Sequence, residues 1–281
     1  MSVVSTTLLL LAALLASPTA QAQADIPARW APVSKAKIRP GVQMFTKGAQ
    51  CTANFVFADR LGRAYVGYAS HCAGKGSSTD TNGCRTPSHP LGTRVRFARG
   101  ATLATNGTTV GHGTLVYSSW IKMHQRNMKR GPACAANDFA LVRVARSDRR
   151  KVNPTVPFWG GPTGLARKGA PAGSRVYSWG HSSLRPGTKL SPKTGVSLRR
   201  THKGWGWEVE TATPGIPGDS GSGFLNARGR AFGTLSTVQI APLPGANGLG
   251  DLAHELHFAQ RFSGIRGLHL VRGTKKFSAA P

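Results

Sequence analysis

The chain has 281 residues, with 37 Lys and Arg against 10 Asp and Glu, so its formal net charge is +27 with His neutral. That length can bury a sizeable core, in one bilobal domain or two small barrels, and the 35 Gly and 18 Pro, with few long helical patterns, point to a turn-rich β protein. Such a charge attracts polyanions, but the basic residues are scattered and no helix-turn-helix, zinc-finger or RNP pattern accompanies them. This argues against a specific nucleic-acid reader and leaves only non-specific polyanion binding by a solvated cationic surface.

In chain order, the first residues read as an export signal. Leu8 to Ala16 is an apolar core too short to span a bilayer. Ala20-Gln21-Ala22 and Ala22-Gln23-Ala24 offer small-x-small cleavage sites, so residues 1–24 are assigned to a signal peptide and the product is expected outside the cell. Met1 to Thr7 departs from the usual pattern in having no Lys or Arg. No later stretch has the length of a transmembrane helix, so no membrane span is expected. Residues 25–47, basic and Pro-interrupted, read as an arm packed across the surface.

Strand alternation begins at Cys51–Phe57, turns at Asp59–Arg63 and resumes at Ala64–Tyr68, a hairpin whose second strand delivers His71. Arg94–Ala98, Gly113–Tyr117 and Asp138–Val144 continue the pattern and complete a first unit over residues 48–150. Ser147–Pro162, charged and then Pro/Gly-rich, reads as the connection to a second unit, residues 151–281. Its strands are expected at Gly173–Trp179, Gly206–Glu210, Gly223–Leu225 and Ala231–Ser236, with Trp205 and Trp207 on one strand face. Asp251 then caps a helix whose Leu252, Leu256, Ala259 and Phe262 recur at three- and four-residue steps. Four cysteines suit an exported protein with two disulfides, which allow three connectivities. No CxxC pair is present and their spacing matches no zinc site.

Chemistry concentrates in Pro217-Gly218-Asp219-Ser220-Gly221-Ser222-Gly223. A serine flanked by glycines on a tight turn lets backbone N–H groups converge beside its hydroxyl, so one turn can hold a nucleophile and an oxyanion hole. Upstream stand Ala69-Ser70-His71-Cys72 and Asn137-Asp138-Phe139-Ala140-Leu141, giving the order His, Asp, Ser. A neutral imidazole accepts a proton near neutral pH and can return it to a leaving amine.

These motifs resemble the chymotrypsin-like serine proteases, specifically their secreted, actinobacterial-type branch. Tyr177-Ser178-Trp179-Gly180 and Thr211-Ala212-Thr213-Pro214-Gly215-Ile216-Pro217 add to the likeness, which runs from about Arg39 to Val271. The resemblance implies an all-β fold of two packed six-stranded antiparallel β-barrels with a C-terminal helix, and an active site in the cleft between them. It implies a serine endopeptidase acting on protein or peptide substrates through an acyl-enzyme, without metal or organic cofactor. His71 would be the base, Asp138 its orienting carboxylate and Ser220 the nucleophile, with the N–H groups of Gly218 and Ser220 forming the oxyanion hole. Cys51 would pair with Cys72, leaving Cys84 with Cys134.

The chain has no basic residue followed by Ile-Val-Gly-Gly, so an arginine rather than a liberated amino terminus is expected to partner Asp219. Ser222-Gly223 replaces the commoner Gly-Pro, and Ser70 stands where the family usually has alanine. The primary substrate pocket would be lined by Pro214 and Gly215 at its base and by Ser236 and Thr237, followed by Val238, on its second wall. None of these carries a carboxylate, so cleavage is expected after neutral residues unless Asp251 reaches the pocket. The alternative from another class is a catalytically silent, protease-like module that binds polyanions through its charge.

Overall fold

In the computed structural model, which describes Met1 and residues 30–77, 80–185, 187–238 and 246–281, two antiparallel sheets enclose the core. Apart from Met1, the expected signal peptide lies outside the described residues. The first sheet holds β1 (Gln43–Thr46), β2 (Ala49–Thr52), β3 (Val56–Ala58), β4 (Ala64–Tyr68), β5 (Arg94–Arg99), β6 (Thr108–Ser118) and β7 (Ala140–Val144). The second holds β8 (Arg175–Trp179), β9 (Pro192–Thr201), β10 (Gly206–Thr211), β11 (Gly223–Asn226), β12 (Ala231–Val238) and β13 (Asn247–Asp251). Among the described residues three α-helices complete the fold: α1 (Ser119–Gln125), α2 (Pro132–Ala136) and α3 (Leu252–Phe262).

The second sheet closes on itself as a six-stranded barrel in the order β10-β13-β12-β11-β8-β9. The first is an eight-stranded sheet, β14-β3-β4-β7-β6-β5-β1-β2, in which β14 (His269–Leu270) comes from the C-terminal segment. The all-β architecture with a C-terminal helix is thus the one the sequence led us to expect, except that the first unit is an eight-stranded sheet where a closed six-stranded barrel was expected. The extra strands come from the two ends of the chain: β1 from the expected arm, and β14 pairing with β3. Farther upstream, the Ala31 N–H donates to Val152 O at 2.8 Å and the Ile38 N–H to Lys151 O at 3.0 Å.

Local chemistry explains where strands stop. The run expected as one strand from Cys51 is broken between β2 and β3, because Asn54 Oδ1 accepts the Phe55 N–H at 2.5 Å and removes it from the ladder. The helix after β13 begins as the sequence implies: Asp251 accepts the His254 N–H at 2.9 Å, while Leu252, Leu256 and Ala259 are buried. Trp205 and Trp207 do not share a strand face. Trp205 precedes β10 and packs on His254 and Phe258, whereas Trp207 enters the barrel beside Phe232.

Three apolar clusters hold these parts. Trp207, Phe224, Phe232 and Leu249 fill the barrel. Met44, Val66, Phe97, Leu115 and Val142 pack inside the first sheet. Phe55, Phe139, Tyr177, Leu225 and Leu256 join the sheets to each other and to α3. The disulfides join Cys51 to Cys72 and Cys84 to Cys134, closing separations of 21 and 50 residues. Replacing Cys84 and Cys134 by alanine should lower unfolding stability by about 2–5 kcal/mol in chemical denaturation, because the open chain regains loop entropy. An unchanged denaturation midpoint would show that this bridge constrains little.

Candidate active site

His71 sits in a short 3-10 turn, Ser70–Ala73, at the end of β4, and Asp138 immediately precedes the Phe139-Ala140 entry to β7. Because β4 and β7 are hydrogen-bonded neighbours, with Tyr68 opposite Ala140, the two side chains emerge from the same end of the sheet. The His71 Nδ1–H donates to Asp138 Oδ2 at 2.6 Å, and the His71 backbone N–H donates to Oδ1 at 2.8 Å. Ser236 reaches over from β12 and donates to Asp138 Oδ2 at 2.6 Å. The Asp138 carboxylate therefore gathers three donors from both sheets.

Ser70 has a physical role of its own. Its hydroxyl donates to Phe139 O at 2.8 Å and lies 3.1 Å from the hydroxyls of Ser118 and Ser119. An alanine could not tie the His71 turn to β7 in this way.

Electrostatics couple the pair. Burial raises the Asp138 carboxyl, but the charge and hydrogen bond of His71, with the Ser236 hydroxyl, outweigh it and hold the pKa below its ordinary value. For His71, burial works against the charged form, and Asp138 reverses the balance through charge and hydrogen bonding, so its pKa is raised. Behind them, Glu255 Oε1 accepts the Asp138 N–H at 3.2 Å and Oε2 accepts the Thr234 hydroxyl at 2.9 Å. Burial pushes Glu255 well above the carboxylate range against the Thr234 bond, and the Asp138 charge adds to it.

Ser220 lies in the turn between β10 and β11, and this turn is pressed against the first sheet. Thr52 N–H donates to Ser220 O at 2.8 Å. A Cβ on Gly221 would come within 2.9 Å of Ala69 N, two residues before His71, so only glycine allows this approach. The Cys51–Cys72 bridge fastens β2 to the His71 turn at the same place.

Gly218 has a φ of +94°, a region L side chains rarely adopt. Its carbonyl accepts from Thr52 Oγ1 at 2.7 Å and Gln50 Nε2 at 3.0 Å, while Pro217 O accepts from Ser182 Oγ at 2.5 Å. With both carbonyls turned outward, the N–H groups of Gly218 and Ser220 have no protein acceptor among the described residues.

Asp219 anchors the turn from inside. Arg185 NH1 lies 2.6 Å from Asp219 Oδ2 and Lys193 Nζ 3.1 Å from the same oxygen, all three side chains being nearly or fully buried. The expected arginine is Arg185; Lys193 is an addition that β9, a polar run without a clean pattern, did not betray. Burial lowers the Lys193 pKa, as does the Arg185 charge, while Asp219 opposes both. Gln50, Thr52 and Ser182 were likewise invisible in sequence, where they stand as ordinary polar residues beside recognisable motifs.

The proposed pocket segments meet at β12 and β13. Gly215 N–H donates to Asn247 Oδ1 at 2.8 Å, and a Cβ on Gly215 would lie 3.1 Å from Leu235 and 3.2 Å from Val238. Pro214 O accepts from Arg185 NH2 at 2.6 Å and from Lys193 Nζ at 3.0 Å. Ser236 gives its hydroxyl to Asp138, and the Thr237 side chain lies against Gly248 of β13. Asp251 is committed elsewhere, accepting from Trp207 Nε1 at 2.8 Å and capping α3. The one cluster of metal-ligand type among the described residues is Cys51, Cys72 and His71, whose sulfurs are joined in the disulfide.

A trypsin-like peptidase domain model matches residues 45–233 of the chain. Among solved structures, a Glu endopeptidase in complex with MPD aligns with TM-score 0.51 and 14% identity, over 82% of this chain and 93% of that one. A thermostable serine protease, AL20, from an extremophilic microorganism aligns with TM-score 0.50 and 17% identity, over 82% and 96%. Protease A of Thermobifida fusca gives TM-score 0.49 and 17% identity, over 84% and 99%. At such identities the likeness is one of fold. No curated protein matches the chain.

The His71–Asp138 coupling has a direct readout. In an NMR titration the His71 imidazole should titrate above the ordinary value of about 6.5, and Asp138→Asn should lower that midpoint by about 1–3 units. A midpoint that does not move on Asp138→Asn would contradict the coupling.

Proposed function

The chain belongs to the trypsin-like peptidase family, and from that premise we propose that it is a secreted serine endopeptidase working through Ser220, His71 and Asp138. The observation that carries this reading is the 2.6 Å contact between His71 Nδ1 and Asp138 Oδ2, buried where the Ser220 turn meets the first sheet. Two disulfides and the apolar core at Leu8–Ala16 support export.

The chemistry follows from the tautomer. With Nδ1–H given to Asp138, the lone pair of His71 sits on Nε2, and His71 retains 14% side-chain exposure through which to act. Ser220 Oγ attacks the peptide carbonyl as Nε2 takes its proton. The negative charge forming on the carbonyl oxygen is met by the Gly218 and Ser220 N–H groups, fixed beforehand and therefore needing no reorganisation. The imidazolium, stabilised by Asp138, protonates the leaving amine, and water repeats the sequence on the acyl-enzyme. Asp219, through Arg185 and Lys193, keeps the turn formed without a liberated amino terminus. The mechanism calls for no metal or organic cofactor.

At the primary pocket, Pro214 and Gly215 offer no carboxylate, and the cations Arg185 and Lys193 lie directly behind Pro214 O. A basic substrate side chain would meet like charge and no partner. Crowding of Gly215 by Asn247, Leu235 and Val238 further favours a small, neutral side chain. The surface excess of Lys and Arg adds salt-sensitive, non-specific affinity for polyanions, which retention on heparin resin would measure.

Wild-type protein should react with a fluorophosphonate probe at Ser220 and hydrolyse peptides. Ser220→Ala should abolish labelling and cut turnover by about 10⁴–10⁶-fold with the fold intact. Substantial hydrolysis by purified Ser220→Ala, or an unlabelled wild type, would contradict the reading. Because His71 must be neutral to act as base, kcat/KM should fall as pH drops through its raised pKa.

Peptide-library profiling should show cleavage after small neutral residues. Dominant cleavage after Lys or Arg would show that the pocket lies elsewhere.

A further inference from the structure

Arg185 also lines a cavity of about 360 Å³, between the Arg39–Val42 segment, the Arg99–Thr102 turn and the β8 end at Trp179. Its size falls within the range of roughly 300–1,000 Å³ typical of small-ligand sites. Arg39, Arg99, His181 and Arg185 all line it, and among the described residues no Asp or Glu does. Arg185 is committed to Asp219 and Pro214. Arg39 and Arg99 are not so neutralised: both are half-buried, and neither forms an ion pair with any described residue. Among the described residues, Arg99 donates one hydrogen bond, to Ala36 O at 2.9 Å, while the Arg39 side chain donates none.

Two guanidinium groups sharing one cavity without a counter-charge repel each other. Burial lowers the Arg39 pKa and the Arg99 charge lowers it further. Such an arrangement destabilises the empty fold and becomes favourable when an anion joins it, since guanidinium forks match tetrahedral oxyanions. Trp179 supplies an aromatic wall, held so closely to Gly41 that no side chain could fit there.

We propose that this cavity is a binding site for a doubly charged tetrahedral oxyanion, phosphate or sulfate, gripped by Arg39 and Arg99. Two uncompensated positive charges call for a dianion rather than a monoanion. The site goes beyond the peptidase reading and does not depend on Ser220 being reactive. It is also distinct from the diffuse attraction of a cationic surface, because it should saturate at one ligand per chain.

The test is isothermal titration calorimetry of the full protein with inorganic phosphate and with phenyl phosphate, at fixed ionic strength against sodium chloride. One saturable site is expected, weakened about tenfold or more by Arg39→Gln or Arg99→Gln and little changed by Lys129→Gln on the open surface. Tighter binding of phenyl phosphate would assign the anion to the head of an organic ligand lying along Trp179, and equal or weaker binding to the free ion. A second readout separates a ligand site from a structural one. In buffer free of phosphate and sulfate, Arg39→Gln should raise the thermal midpoint by relieving repulsion, and phosphate should raise that of the wild type more than that of the variant. No saturable binding beyond chloride, unchanged affinity in both arginine variants, or a lower midpoint for Arg39→Gln in phosphate-free buffer would overturn the proposal.

Discussion

The buried carboxylate of Asp219 is the interaction on which the site rests. Placing a charge in the interior costs several kcal/mol of solvation, and the fold recovers it only by bringing cations to the same place. Arg185 and Lys193 do so at 2.6 and 3.1 Å, and each also donates to Pro214 O. The turn is thereby fixed at its inner face, while Thr52, Gln50 and Ser182 fix its carbonyls from outside. Among the described residues, the Gly218 and Ser220 N–H groups are left without a protein acceptor. In the proposed mechanism, a turn held from both faces would need no liberated amino terminus to stay formed.

The same logic governs the other acids. Seven of the ten acidic residues are buried: Asp59, Asp138, Asp148, Glu208, Asp219, Asp251 and Glu255. Most serve as anchors: Asp59 holds Arg63 and Tyr65, Glu208 holds Arg199, and Asp251 caps α3. The consequence is that few acidic side chains stand on the solvent-facing surface, where most of the unpaired charge is positive. Arg39 and Arg99 are the contrast: among the described residues neither forms an ion pair with an acid.

How much of this could be read in the sequence follows from the range of the interactions. The Ser220 turn, the Asp251 cap and the Ala64–Tyr68 strand are set by neighbours within a few residues, so glycines, a capping carboxylate and alternation announce them. By contrast, β13 is Asn247-Gly248-Leu249-Gly250-Asp251, too glycine-rich to read as a strand, and pairing with β10 and β12 on its two sides makes it one. At the site, Asp219 could be seen to need a cation, but choosing Arg185 and Lys193 among 37 basic residues required the fold. Ser236 was legible as part of a wall and not as a donor to Asp138, since that bond spans 98 residues.

The central claim, that the Asp219 ion cluster preforms the oxyanion turn, is tested most directly by the affinity of a peptide boronate. In the proposed mechanism its tetrahedral adduct would use the Gly218 and Ser220 N–H groups, which the parent peptide does not need. Asp219→Asn, which keeps the side-chain shape but strands the two cations, should weaken the boronate by about 10²–10³-fold while leaving the affinity of the parent peptide unchanged. Equal boronate affinity in folded wild-type and Asp219→Asn protein would contradict the account.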